Sequence, residues 1–108
     1  MGKDKQSNAP HTVHVPAKLE RLVEKFLTNR RKDVSDLTAA LDAGDFDTVR
    51  IRGHDMKGVG RAYGFERITE LGAALEQAAL ATDCRAARAG LEALADYLDA
   101  VRVRIAAK

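Results

Sequence analysis

Tryptophan is absent from this 108-residue chain, and three Phe and two Tyr are its aromatics. A dense core must therefore come mostly from Leu, Ile, Val and Ala, as in a helical bundle. Prolines occur only at positions 10 and 16, so the remainder carries no breaker of that kind. The one cysteine, Cys84, has no partner for an internal disulfide. That fits a reducing compartment and leaves a structural thiol, exposed or half-buried, as its default reading. No apolar run approaches the roughly 18 residues of a membrane span. The first residues lack the apolar core of a secretory signal, so a cytoplasmic protein without membrane contact is expected. The net charge is only +2, with acidic and basic residues interleaved. A dedicated nucleic-acid binder would be far more basic, and no nucleic-acid partner is expected. Alternation of period two never runs long enough to call for a sheet.

What is present suits one soluble domain. Apolar residues make up 45% of the chain and charged residues 31%. Residues 1–12 are polar and without period, and read as a disordered tail preceding a helical domain over 13–108. His11 and His14 have no carboxylate or Cys at ligand spacing, so no metal site is assigned.

Pro16 suits the first turn of a helix. Leu19, Val23, Phe26, Val34, Leu37 and Leu41 then recur at helical spacing. Asn29-Arg30-Arg31-Lys32 interrupts that face and reads as solvated surface, so residues 17–42 form one helix or two joined near 29. Gly44 stops the segment and Asp45 caps the next helix, Phe46 to about Tyr63. Gly64 ends that helix with positive φ. Phe65 opens a third helix with Ile68, Leu71, Leu75 and Ala78 on one seam. Thr82 or Asp83 caps a fourth, whose seam is Ala87, Leu91, Leu94, Leu98, Val101 and Ile105. Short connections predict antiparallel neighbours. The expected fold is all-α, an up-and-down antiparallel four-helix bundle with an additional N-terminal helical segment.

The second helix carries the unusual chemistry. At about 100° per residue, Phe46, Val49, Gly53, Met56, Gly60 and Tyr63 form one buried stripe. His54 points about 120° away from its middle, flanked by Arg50, Lys57, Gly58 and Arg61. Glycine costs about 1 kcal/mol relative to Ala inside a helix, yet Gly53, Gly58 and Gly60 all lie there. Gly53 and Gly60 sit on the buried stripe, where a missing side chain admits a neighbouring helix. Gly58 lies on the exposed flank, four residues after His54, where it leaves room beside the imidazole. Phe65 is midway in sequence between His54 and Glu76. In an antiparallel hairpin turning at Gly64-Phe65, Glu76 neighbours His54 from the third helix; the other reading is an exposed helical glutamate.

His54, Lys57, Gly58 and Gly64 read H-x-x-K-G-x5-G. This resembles the signature of the histidine phosphotransfer (HPt) domains of bacterial phosphorelays. The likeness continues in Leu41-Asp42-Ala43-Gly44-Asp45-Phe46 and from Tyr63-Gly64-Phe65 through Leu75-Glu76, covering roughly residues 15 to 105. It implies that His54 is phosphorylated and that a Glu or Gln stands where Glu76 is. It also implies that the partners are receiver domains of response regulators and hybrid histidine kinases. The Mg²⁺ of such a transfer belongs to the receiver, so no cofactor is assigned to this chain.

The residues support that chemistry independently. Neutral imidazole is a competent nucleophile near pH 7 and can hold a phosphoryl group as a phosphoramidate. Lys57, one turn after His54, supplies a point charge, and Arg50 and Arg61 add weaker screening. Glu76, directly or through a water, can accept a hydrogen bond from the other ring N–H and fix the tautomer. Asp55 points about 100° from His54 on the wheel; a carboxylate next to a histidine can also serve as a base. No Gly-rich nucleotide loop and no kinase catalytic loop are present, so a phosphohistidine carrier without ATP-dependent kinase activity is expected. Ile51, about 60° from His54, and Arg50 are the docking candidates on the outward face, and a monomer is expected. Two other readings stand beside this one: a non-catalytic helical adaptor, and a nucleic-acid-binding bundle using Arg30, Arg31, Lys32, Arg50, Arg52 and Arg61.

Overall fold

The apolar spacing of the chain produces four helices in the computed structural model, which describes residues 12–106. They are α1 (Glu20–Asp42), α2 (Phe46–Tyr63), α3 (Glu66–Leu80) and α4 (Cys84–Ala100). α1 packs on α2 and α4, α3 packs on α4, and α2 and α3 form the closest pair, which closes a ring of four. A single 3-10 turn, Ala17–Leu19, follows Pro16 and supplies the additional N-terminal segment. The expected tail falls on residues 1–11, outside the described residues, and on Thr12, which is in a strand.

α1 is one helix, which resolves the ambiguity over residues 17–42. The reason lies in tertiary contacts. Val23, Phe26, Leu27, Leu37, Ala40 and Leu41 are buried along it, and Asp33 is buried among them at 8% exposure. Arg30 fills the gap in the apolar stripe. Its guanidinium lies 5.0 Å from the centre of the Phe26 ring, and its Nε donates to Asp33 Oδ2 at 2.8 Å. The expectation that Arg30-Arg31-Lys32 is solvated surface therefore fails for Arg30, whose alkyl stem and planar head continue the packed face. Lys32 is exposed and pairs with Asp36.

The helix ends follow local rules. Asp45 Oδ1 accepts the Thr48 N–H at 3.1 Å and caps α2, and Asp83 caps α4 in the same way through Ala86. α2 ends at Gly64, φ 84°, where Phe65 N–H reaches Gly60 O and Gly64 N–H reaches Arg61 O. That is the paired Schellman pattern. The same pair of bonds ends α3 at Thr82 and Asp83, but there the left-handed residue is Thr82, φ 48°.

Two expectations are corrected. A two-stranded parallel sheet exists, β1 (Thr12–Val15) against β2 (Arg102–Ile105), with Thr12 opposite Arg102 and Val15 opposite Ile105. The crossover between them is the whole bundle. Val15 is fully buried and anchors the ribbon to the core, with Val13, Val101 and Val103 packed beside it. The fourth helix also stops at Ala100, so Val101 and Ile105 do not extend its seam. Val101, Val103 and Ile105 alternate with Arg102 and Arg104, and β-branched residues in that alternation favour the extended chain.

Candidate functional site

α2 holds His54 on its outer side while Val49, Gly53, Met56 and Gly60 are buried. The imidazole is open to solvent, its side chain 63% exposed, whereas the Glu76 side chain on α3 is 15% exposed. His54 Nδ1 lies 3.1 Å from Glu76 Oε2. Lys57 Nζ donates to Glu76 Oε1 at 3.0 Å. One carboxylate thus spans an imidazole and an ammonium from the neighbouring helix. The Lys57 ammonium, and then the hydrogen bond to His54, hold the Glu76 carboxyl below the ordinary carboxylate range against the opposing effect of burial. An ionised carboxylate only accepts, so in a neutral ring this contact calls for the proton on Nδ1, which leaves the lone pair to Nε2.

The remaining sequence candidates divide. Gly58 faces open space, with nothing within 4 Å of where a Cβ would stand. Gly64 is the helix end. Ile51 is 45% exposed. Arg50 and Arg61 are not drawn into the cluster. Arg50 donates to Asp47 at 2.8 Å, back along its own helix. Arg61 is exposed and has no ion-pair partner among the described residues. Asp55 turns toward α1 and lines a shallow hollow with Arg30, Asp33, Arg52, Met56 and Val59.

Sequence reasoning missed three contributors. Thr69, buried on α3, donates its hydroxyl to the Lys57 carbonyl at 2.8 Å. Gly72 on α3 lies against the Lys57 backbone. Arg52, two residues before His54, joins α2 to α1 by donating to Asp33 at 2.8 Å and to Asp36 at 3.2 Å. Only the Arg52 link had a signal, since an Arg facing two acids on the preceding helix suggests an ion pair. Four of the six cations that a nucleic-acid reading would use, Arg30, Lys32, Arg50 and Arg52, are held in ion pairs. Among the described residues no group of three or more His, Cys, Asp or Glu is placed to hold a metal ion. No helix among them is long and apolar enough to cross a membrane.

The family model described as Hpt domain matches residues 21–104. The chain belongs to the Hpt domain family. The match takes in the helices from the start of α1 to β2, with His54, Lys57 and Glu76 inside it. Hpt domains are the histidine phosphotransfer modules of phosphorelays in two-component signalling, phosphocarriers rather than kinases, and they work with receiver domains. No curated protein and no solved structure matched the chain.

Proposed function

We propose that this Hpt domain carries the phosphoryl group on His54 Nε2, taking it from an aspartyl phosphate of one receiver domain and passing it to the aspartate of another. The observation that carries this reading is the Nδ1 contact with Glu76, made from an imidazole whose side chain is 63% exposed. In the forward step the Nε2 lone pair attacks phosphorus, the P–O bond to the aspartyl carboxyl breaks, and the carboxylate leaves with its electron pair. In the return step an incoming carboxylate oxygen attacks, the P–N bond breaks, and its electrons return to Nε2. Glu76 keeps the Nδ1 proton in place throughout, so the leaving group is a neutral imidazole rather than an imidazolate. Lys57 screens the phosphoryl charge from one turn away, and Gly58 leaves space for the receiver to approach.

The docking face combines Ile51 with Leu80, which is 59% exposed. Ile51 is one turn before His54 on α2, and Leu80 is one turn after Glu76 on α3. The two helices are antiparallel, so both flank the site at the same end. A relay contact has to separate again, which suits a small interface. The chain acts as a monomer in the cytoplasm, where receivers are found.

The test is transfer from a radiolabelled receiver aspartyl phosphate to the wild-type protein and to His54→Gln. Acid-labile, base-stable label on the wild type alone is the expected result. Label retained by His54→Gln would remove the site assignment. No label from any of several receivers would favour the adaptor reading.

A further inference from the structure

The contact between α2 and α3 is closer than any side chain would allow at the level of the site. A Cβ on Gly72 would lie 2.6 Å from Lys57 N, 2.7 Å from Gly53 O and 3.1 Å from Lys57 Cα. A Cβ on Gly53 would lie 2.8 Å from Glu76 N, 2.9 Å from Gly72 O and 3.2 Å from Leu75 Cβ. The obstructing atoms are mostly backbone, so an added methyl must move a whole helix rather than a flexible side chain. The contact is reciprocal. The residue before His54 abuts the backbone of Glu76, and the residue four before Glu76 abuts the backbone of Lys57.

We propose that Gly53 and Gly72 are positioning residues. Their backbone-to-backbone contact brings Glu76 close enough for its short side chain to hold His54 Nδ1 and Lys57 Nζ together. This rests on His54 being the phosphoryl carrier. A glutamate has only two methylenes between Cα and carboxylate, so its reach from α3 is limited. Both contacts of the carboxylate lie at ordinary hydrogen-bond length, 3.1 and 3.0 Å, while the helices beneath them touch through bare backbone. Separating the helices by the width of a methyl lengthens both contacts beyond hydrogen-bond range. The ring then has no acceptor to fix its proton on Nδ1. A third close contact marks the difference between packing and positioning. A Cβ on Gly60 would lie 2.7 Å from Thr69 Oγ1 and 2.8 Å from Thr69 N, as tight as the others but two turns from Glu76.

The experiment reads the His54 ring nitrogens by ¹⁵N NMR in the unphosphorylated protein, above the pH at which the ring titrates. The proteins compared are wild type, Gly72→Ala, Gly60→Ala and Glu76→Asp. The wild type should show the Nδ1–H tautomer as the major form. Gly72→Ala should make it the minor form and slow transfer from a receiver by at least about tenfold, while Gly60→Ala keeps it. Glu76→Asp leaves the glycines and the fold alone but shortens the reach by one methylene. It should also lose the Nδ1–H tautomer, and it decides the matter where Gly72→Ala does not fold. A folded Gly72→Ala with the wild-type tautomer, or a Glu76→Asp protein that keeps it, would overturn the proposal. Because the tautomer is read without phosphoryl transfer, its outcome is separate from a failure of His54 to accept label.

Discussion

The buried carboxylate of Asp33 can be tested by removing its charge and almost nothing else. Asp33→Asn keeps the shape but changes one oxygen into an amide nitrogen. Asp33 accepts from Arg30 Nε and from Arg52 Nη1, both at 2.8 Å. Its side chain is 12% exposed, that of Arg30 14%, and that of Arg52 37%. The amide can accept from one guanidinium and must present N–H to the other. A hydrogen bond to a charged group is worth about 1.5–3 kcal/mol. The Arg30 side pays nearly the full amount because little water reaches it. The Arg52 side loses under about 1 kcal/mol, because Arg52 is part-exposed and keeps Asp36. The two together span about 1.5–4 kcal/mol, a fall in Tm of roughly 6 °C or more for a domain of this size. Urea unfolding followed by far-ultraviolet circular dichroism should show the midpoint drop with m unchanged. A double-mutant cycle with Arg52→Met should recover a coupling of about 1 kcal/mol. A loss under about 0.5 kcal/mol would refute the reasoning, since that is the range of a solvated surface pair.

Thr82 holds φ 48° at the end of α3, a conformation unfavourable for a β-branched residue. Thr82→Gly should therefore stabilise the protein by about 0.5–1 kcal/mol in the same urea assay, the relief exceeding the entropy glycine adds to the unfolded chain. Burial pushes the Tyr97 phenol up to about 12, against a smaller opposing effect of Arg67. In a Tyr63→Phe background the absorbance change near 295 nm should then have its midpoint near pH 12. The raised value means that stability is fully present below the ordinary tyrosine pKa of 10.0 and is lost as pH rises from there through 12. Tyr97→Phe should flatten that alkaline loss. Ile51→Asp and Leu80→Asp should raise the receiver concentration needed for half-maximal transfer by about tenfold while leaving helicity and the saturated rate unchanged. A change in saturated rate alone would place these residues in the chemistry instead of the docking.

The helices were readable because their apolar residues recur over four or more turns, and the Asp45, Gly64 and Asp83 boundaries were readable because their signals are local. The pairing of His54 with Glu76 was readable for a different reason. A tight turn at Gly64-Phe65 converts equal sequence distance into equal height. The continuity of α1 was not, because Arg30 fits the buried stripe only through Phe26 and Asp33. The ribbon was not, because each strand has four residues, too few for an alternation to stand out. Val101 and Ile105 also happen to fit the helical spacing that precedes them. Gly72 sits in no motif, and nothing in the chain marks which glycine meets which backbone.

The contacts of α2 fall into two sets that hold it from opposite sides. Toward α3 it is seated by Gly53 and Gly60 and joined by Lys57 and His54 to Glu76. Toward α1 it is held by Arg52, which leaves the helix about 200° around from His54 and binds Asp33 and Asp36. Rotating α2 by even a quarter turn would break both sets, so the direction of the His54 ring is fixed by the fold and not by the partner. The outward residues Ile51, Gly58, Arg61 and, from α3, Leu80 belong to neither set. On the proposed reading, a substitution there changes what a receiver meets while the contacts that seat α2 stay in place. Ile51, Gly58 and Arg61 lie within about 60° of His54 around the helix, so on the proposed reading the receiver and the imidazole meet on one outer face, while the contacts that hold the ring come from α3.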